Sequence, residues 1–385
     1  MIKAWSVCLS LMFTAGNLQA TTLIGWAELP ADTFTQGPTS GQFIESVNGR
    51  HPPFINQQPV QGFSSLVATG DGEYFALTDN GFGARSNSSD FILGWYLIKP
   101  HYRQIDGGDA RIAISRVVQL SDPHSLLGFT LTRPDDRLLT GADLDPESFR
   151  QTPDGSFWLG DEFLPGILHF SASGELLAPP FTLSGLYAVD NPMGETATLQ
   201  SSRGFEGMGQ SQDGLWLYPM LEGEMMNTDA GLNIYSFDVA NQKFVNPNAN
   251  HPSYRYRLDQ GSTAVGDFTM YSDSAGLMIE RDSNQGSQAR TKKIYQVDFK
   301  NLDQDGYLQK TLIVNLLEIG DPNDLNNDGQ TQFSFPFWTI EGLVVIDATT
   351  LVVTNDNNYP FDLARSETKP DNTEFILLKI DPLWE

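Results

Sequence analysis

Residues Arg203–Glu224 read RGFEGMGQSQDGLWLYPMLEGE. An acid, Glu206, opens a short strand. Asp213-Gly214 makes the turn, LWLYPM makes a second strand, and Glu222 and Glu224 close the unit. Asp-Gly between apolar runs marks a hairpin, because the turn needs positive φ and glycine adopts it without steric cost.

The unit recurs four more times. Ser64 precedes Asp71-Gly72, the run EYFAL and Asp79. Glu147 precedes Asp154-Gly155, SFWLG and the pair Asp161-Glu162. Asp267 precedes the turn SDSAG, the run LMI, then Glu280 and Asp282; Glu341 precedes DATT, LVVT and Asp356. The turn follows the opening residue by about six or seven positions and the closing acid follows it by about fifteen. Self-similarity of this kind is the signature of a repeat architecture.

The segments between units supply the outer strands. GWYLIK (94–99) and RIAISRVVQL (111–120) follow the first unit, GILHFS (166–171) and a weaker ELLAPPFTL the second. LNIYSFDV and SYRYRL follow the third, KIYQVDF and KTLIVNLL the fourth. Their β-branched and aromatic content is that of strands. The fifth unit has only EFILLKI (374–380), while the chain start has a spare strand, TLIGWAEL (22–29). Pairing the two closes a ring and removes exposed sheet edges. The expectation is an all-β protein, a β-propeller of five four-stranded blades closed by its N- and C-terminal strands. A sixth blade built from 30–61 or 121–144 is the main structural alternative, and an open sandwich with unrelated hairpins is the other.

Composition narrows the function. The chain has 385 residues, with 48 acids against 23 bases and a formal net charge of -25. Such a surface repels nucleic acid and anionic lipid and suits divalent cations where acids converge. Residues 1–20, MIKAWSVCLSLMFTAGNLQA, have the basic start, short apolar run and small-residue end of a secretory signal, which leaves 21–385 as the mature domain. The single cysteine, Cys8, lies inside that segment, so a mature chain would hold no disulfide and no thiolate metal site. A periplasmic or secreted protein is expected, with no stretch long enough to span a membrane.

In a propeller the first strand of each blade lines the central channel. Glu147, Glu206, Asp267 and Glu341 would then stand near the axis, and Asp79, Glu162, Glu222, Asp282 and Asp356 would return toward it. Carboxylates brought together need cations. Arg85, Arg203, Arg281 or a bound metal are the candidates, and an oxygen-only ligand set selects Ca²⁺, with Mg²⁺ second. Two stretches, Asp324–Gly329 and Asn301–Gly306, begin like calcium loops but have Phe335 and Leu312 where the closing acid belongs. They read equally well as Asx turns. The chain has no G-x-S-x-G elbow, no H-E-x-x-H helix and no phosphate-binding G-x-x-x-x-G-K-[ST] loop, and its five histidines show no ligand spacing.

Seven short motifs occur in order. They are Asp145-Pro146-Glu147, Gly160-Asp161-Glu162, Arg203-Gly204-Phe205-Glu206-Gly207-Met208, Leu221-Glu222-Gly223, Ile279-Glu280-Arg281, Ile340-Glu341-Gly342-Leu343 and Asn355-Asp356-Asn357-Asn358. In this order the sequence resembles the phytase-like family, also called the esterase-like family of phytases. Ser148 and Tyr359 depart from that pattern, which has Gly and Phe there. The resemblance implies an exported β-propeller grouped with phosphoester or ester hydrolases. On this reading Asp79, Glu147, Glu162, Glu222, Glu280 and Asp356 hold calcium, and Arg203 and Arg281 clamp phosphate. Glu206 or Glu341 serves as general base, and Arg85, Asn357 and Asn358 contact a small anionic or ester substrate. A calcium-dependent esterase or lactonase-like propeller, and a non-catalytic ligand- or partner-binding propeller, are the alternatives.

Overall fold

Each of the five hairpin units folds as an antiparallel hairpin and widens outward, and a single parallel bridge, Glu28 to Arg111, joins the strands of the first and fifth units in one ten-stranded sheet. A computed structural model describes residues 21–201, 203–228, 231–246 and 253–385. The secretory signal expected over 1–20 lies outside the described residues. Among the described residues, regular secondary structure is almost entirely strand, with one three-residue 3₁₀ turn at Gly286–Gln288. No helix among the described residues is long and apolar enough to cross a membrane.

The inner strands are Phe63–Gly70, Pro146–Gln151, Phe205–Gln210, Ala264–Met270 and Ile340–Asp347. Each pairs with the strand after its turn, and the sheets then run outward in chain order. The third sheet splits at its edge: Leu232–Ile234 pairs with Tyr254–Tyr256, and Ser236–Asp238 pairs with Lys243–Val245. Every inner strand packs against the next, and the last packs against the first. The N-terminal strand Thr22–Leu29 lies antiparallel to Thr373–Lys379, with Trp26 opposite Ile376, and so completes the fifth sheet. The architecture is therefore all-β and propeller-like. Residues 30–61 contribute a pair of three-residue strands, Phe34–Gln36 and Gln57–Pro59, and isolated bridges, and 121–144 contributes isolated bridges.

Apolar side chains fill the seams between neighbouring sheets. Trp95 of the first sheet meets Phe149 and Phe157 of the second. Trp158 meets Phe237, joining the second to the third. Met220 and Phe268 lie in one cluster between third and fourth, Ile279 and Leu343 between fourth and fifth, and Ala76 and Phe375 between first and fifth. Each fully buried large apolar side chain contributes roughly 1.5–3 kcal/mol, so every seam holds its two sheets face to face.

All five inner strands carry a bulge near their start. The residues skipped by the pairing register are Ser64, Glu147, Glu206, Gly266 and Glu341. A bulge leaves one residue unpaired and re-aims its side chain. Counting from the bulges corrects the reading of the fourth unit by one residue. Gly266, not Asp267, stands where the other units place their opening residue. Fifteen or so residues on, Arg281, not Asp282, stands where they place Asp79, Glu162, Glu222 and Asp356.

Gly266 is required there. A Cβ would lie 2.1 Å from the carbonyl oxygen of Ile340 on the adjoining inner strand, and that backbone cannot yield cheaply. Gly266→Ala is expected to destabilise the protein by about 1–3 kcal/mol, the usual cost of overpacking. A urea midpoint unchanged from wild type would contradict this packing.

Candidate active site

Three of the bulge residues, Glu147, Glu206 and Glu341, and the residues that end or follow the second strands, Asp79, Glu162, Glu222, Arg281 and Asp356, line a cavity of about 400 Å³. Glu147, Glu206 and Glu341 come from three different inner strands. One carboxylate oxygen from each lies within 4.8 Å of the others. Asp145, Glu147 and Glu162 form a second such group, so Glu147 belongs to both. Farther along the second inner strand, the buried Arg150 ties that strand to the first and the fourth. It donates to the Ser65 hydroxyl and the Phe268 carbonyl and lies 3.5 Å from Asp267.

Burial sets the electrostatics. The carboxyls of Glu147 and Glu341 are pushed well above the usual range, first by loss of hydration and then by neighbouring acids, Asp145 and Glu206 foremost. Burial lifts Glu206 to about 8 against the pull of Arg281 and Arg203. Asp79 and Glu162 are raised by burial and by Asp356 and Glu206 respectively. Asp356 reaches about 6, where burial outweighs the bonds from the Asn358 N–H and the Thr339 hydroxyl.

Two guanidiniums answer these charges. Arg281 donates to Glu222 at 2.6 Å and lies 3.6 Å from Glu341 and 3.9 Å from Glu206. Arg203 pairs with the other oxygen of Glu222. Its path over Gly223 needs a residue without a side chain, since a Cβ there would sit 2.1 Å from its Cδ.

The structure sorts the residues expected from the sequence. Asp79, Glu147, Glu162, Arg203, Glu206, Glu222, Arg281, Glu341, Asp356 and Asn358 all line the cavity. Glu222 is not a free ligand, because both its oxygens are held by arginines.

Glu280 is a correction. Strand alternation turns it away from Arg281 into a pocket with Lys310, the Tyr256 hydroxyl and the Ser262 hydroxyl. Asn357 is another: it is buried, donating to the Asp371 carbonyl and accepting from Gly62 N, while its neighbour Asn358 faces the cavity. Arg85 lies in an adjoining depression, its guanidinium bound to the carbonyls of Ala142 and Asp190. Asp267 is engaged by Leu343 N and Phe268 N, and Asp282 by Lys292.

The two calcium-like loops are bonded internally. Asp324 accepts from Gly329 N and Asp303 from Asp305 N, and neither loop gathers three acids among the described residues.

Sequence reading missed Asp145, Asp362, Thr339, Trp338 and Phe361, all in the cavity wall. Asp145 opens the first of the seven motifs, two residues before Glu147, and that was its one signal.

The three-acid group fits a hard cation. Glu206 is 3% exposed, and its Oε1 has no hydrogen-bond partner among the described residues. A buried carboxylate oxygen left unsatisfied costs about 1–3 kcal/mol or more unless something binds it. With oxygen donors only, Glu147, Glu206 and Glu341 match Ca²⁺ or Mg²⁺ rather than zinc.

A ring of sheets around a carboxylate-lined axial cavity defines the class: a propeller-like protein with its site on the inner strands. Within that class the chain belongs to the phytase-like family, described as esterase-like activity of phytase, whose model matches residues 58–359. No curated protein matches the chain in sequence. Among solved structures, the arabinanase Arb43A of Bacillus subtilis is similar, at 12% identity and TM-score 0.41, over 83% of this chain and 94% of that one. A luciferin-regenerating enzyme aligns at 11% identity and TM-score 0.39, over 94% and 92%. The PQQ-bound aldose sugar dehydrogenase of Streptomyces coelicolor aligns at 9% identity and TM-score 0.38, over 94% and 100%.

Proposed function

We propose that the chain is an exported, five-bladed propeller hydrolase that uses a divalent cation, calcium first, to cleave phosphate esters. One observation carries the reading: carboxylates of Glu147, Glu206 and Glu341 converge from separate strands, and the Oε1 of Glu206 among them accepts no hydrogen bond among the described residues, with the Arg281 guanidinium 3.9 Å away. Family membership supports a hydrolase. The five inner strands packed in a ring support the blade count. Export to the periplasm or beyond rests on the secretory pattern of residues 1–20.

Glu147, Glu206 and Glu341 would hold the ion, which supplies Lewis acidity and a water of lowered pKa. Glu206 and Glu341 thereby move from the general-base role to ligation. Asp356, oriented by the Asn358 N–H and the Thr339 hydroxyl, is the cavity carboxylate positioned to take a proton from water. Arg281 keeps a buried Nε–H without an acceptor among the described residues, and a phosphate oxygen would fill it. Arg203, sharing Glu222 with Arg281, fixes that guanidinium in place.

The test measures phosphate from p-nitrophenyl phosphate and nitrophenol from p-nitrophenyl acetate, in Ca²⁺ and then in EDTA. Phosphate release that EDTA abolishes and added calcium restores is the expected result. Cleavage of acetate alone moves the assignment to an esterase. Turnover of either substrate that persists in EDTA removes the metal from the reaction.

A further inference from the structure

Two aromatic rings stand open in the wall of the acid cavity. Trp338 is 42% exposed and Phe361 is 36% exposed, and both line it. The run Phe333-Ser334-Phe335-Pro336-Phe337-Trp338 explains the first. Its alternation buries Phe333, Phe335 and Phe337 in the seam between fourth and fifth sheets, and Trp338 is the aromatic left outside. Exposing so much apolar surface runs against the hydrophobic effect, and inside a polar cavity it marks a surface for ligand contact.

The rings sit on fixed backbone. The Trp338 carbonyl accepts from Lys292 Nζ at 3.0 Å, and the next residue, Thr339, is tied to Asp356. The Phe361 amide donates to the Asn358 carbonyl at 2.7 Å, and its own carbonyl accepts from Asn48 Nδ2 at 2.9 Å. A platform anchored in this way loses little entropy when a ring packs on it.

Charge restricts what that ring can carry. Nine carboxyl side chains line the cavity against two guanidiniums, and both guanidiniums already share Glu222. Burial keeps protons on some of these carboxyls, yet one divalent ion still leaves the lining without the cationic surplus that several phosphates would need. A ligand with many phosphates meets repulsion there, whereas one with a single phosphate and a neutral body does not.

We propose that Trp338 and Phe361 form a subsite for the ring of a singly phosphorylated, otherwise uncharged substrate, and that polyphosphorylated rings are poor ligands. This rests on the phosphate-ester reading of the acid cavity. The shared chemistry is a ring face, either a flat arene or the C–H face of a saturated ring, each of which stacks on indole.

Calorimetry with non-hydrolysable probes in saturating calcium tests it independently of turnover. The probes are methylphosphonate, phenylphosphonate and cyclohexylphosphonate. Wild type is expected to bind phenyl- or cyclohexylphosphonate about tenfold more tightly than methylphosphonate. Trp338→Ala should erase that advantage and leave methylphosphonate binding as it was, and Trp338→Phe should keep most of it. Advantage for phenyl alone identifies an arene reader, and advantage for both identifies a reader of any ring face. Methylphosphonate binding as well as the ring probes overturns the subsite and leaves the phosphate reading standing. No binding by any probe overturns both. Phytate displacing phenylphosphonate at equal or lower concentration overturns the charge argument.

Discussion

Glu206→Gln is expected to abolish calcium-dependent stabilisation and turnover together, whereas Glu175→Gln changes neither. Glu206 supplies one of three carboxylates in the central group, and the oxygen that accepts no hydrogen bond among the described residues is its own. Glu175 is exposed, forms an isolated bridge with Ser121 and lines no part of the cavity. Removing one of three charged ligands lowers affinity by roughly a hundredfold or more, by analogy with ligand-shell changes elsewhere. At a free calcium concentration one hundred times the wild-type Kd, binding stabilises wild type by about 2.7 kcal/mol. The variant would gain about 0.4 kcal/mol at that concentration if its Kd is a hundredfold weaker.

The calcium-free proteins separate this from a structural role. A buried acid among acids opposes folding at neutral pH, so glutamine should leave the metal-free melting temperature equal or higher. A metal-free variant that melts well below wild type, with its calcium gain intact, would contradict ligation by Glu206. Glu280→Gln makes the opposite comparison. Glu280 pairs with Lys310 outside the cavity, so the variant should lose stability and keep its calcium response.

The repeat was legible because its chemistry is local. Asp-Gly turns and apolar runs announce hairpins in one stretch of chain, and the spare strand at residues 22–29 announced the closure. Cavity residues were legible where the bulge residue is itself an acid, as at Glu147, Glu206 and Glu341. The fourth unit misled because its bulge residue is glycine: Asp267, one position on, took its place in the alignment. From there the error travelled to Asp282, while Arg281 was counted as a free cation rather than as the occupant of the closing position. Period-two alternation then decided Glu280 against Arg281, and a one-residue slip in that strand reverses them; Asn357 and Asn358 lie past the end of their strand, where Asn358 turns at a φ of 40°. Phe361 had no local signal, and the aromatic alternation before Trp338 does not by itself say which of its rings a seam will bury. Their exposure depends on which neighbours the seam buries, and that exists only in three dimensions.

Stability without calcium should fall as pH rises from about 5 to 8, and calcium should remove the share of that fall that comes from the central group of Glu147, Glu206 and Glu341. Burial raises Glu206 and Asp161 to about 8, Asp362 to about 7 and Asp356 to about 6 in the folded chain. Unfolded, each titrates near 4. Between those values the unfolded chain has released protons that the folded chain retains. The unfolded state therefore gains ground as pH rises, and the contribution, complete below pH 4, is gone once pH passes about 8.

Every tenfold difference in proton affinity between folded and unfolded chain is worth about 1.4 kcal/mol, so even partial realisation gives a loss on the order of several kcal/mol. Surface acids do not disturb this window. Asp136 and Asp154, lowered by the Arg133 and Ser156 hydrogen bonds, complete their titration below pH 5. His169, lowered by burial against Trp158, gains stability with rising pH, but it is one half-buried group against several.

Calcium must displace the retained protons to bind, so its affinity rises with pH. Melting curves in EDTA and in calcium should therefore diverge steadily from pH 5 to pH 8. Parallel curves would mean that the ion and the buried protons do not compete for the same carboxylates, and the central group of Glu147, Glu206 and Glu341 would lose its assignment as the cation site.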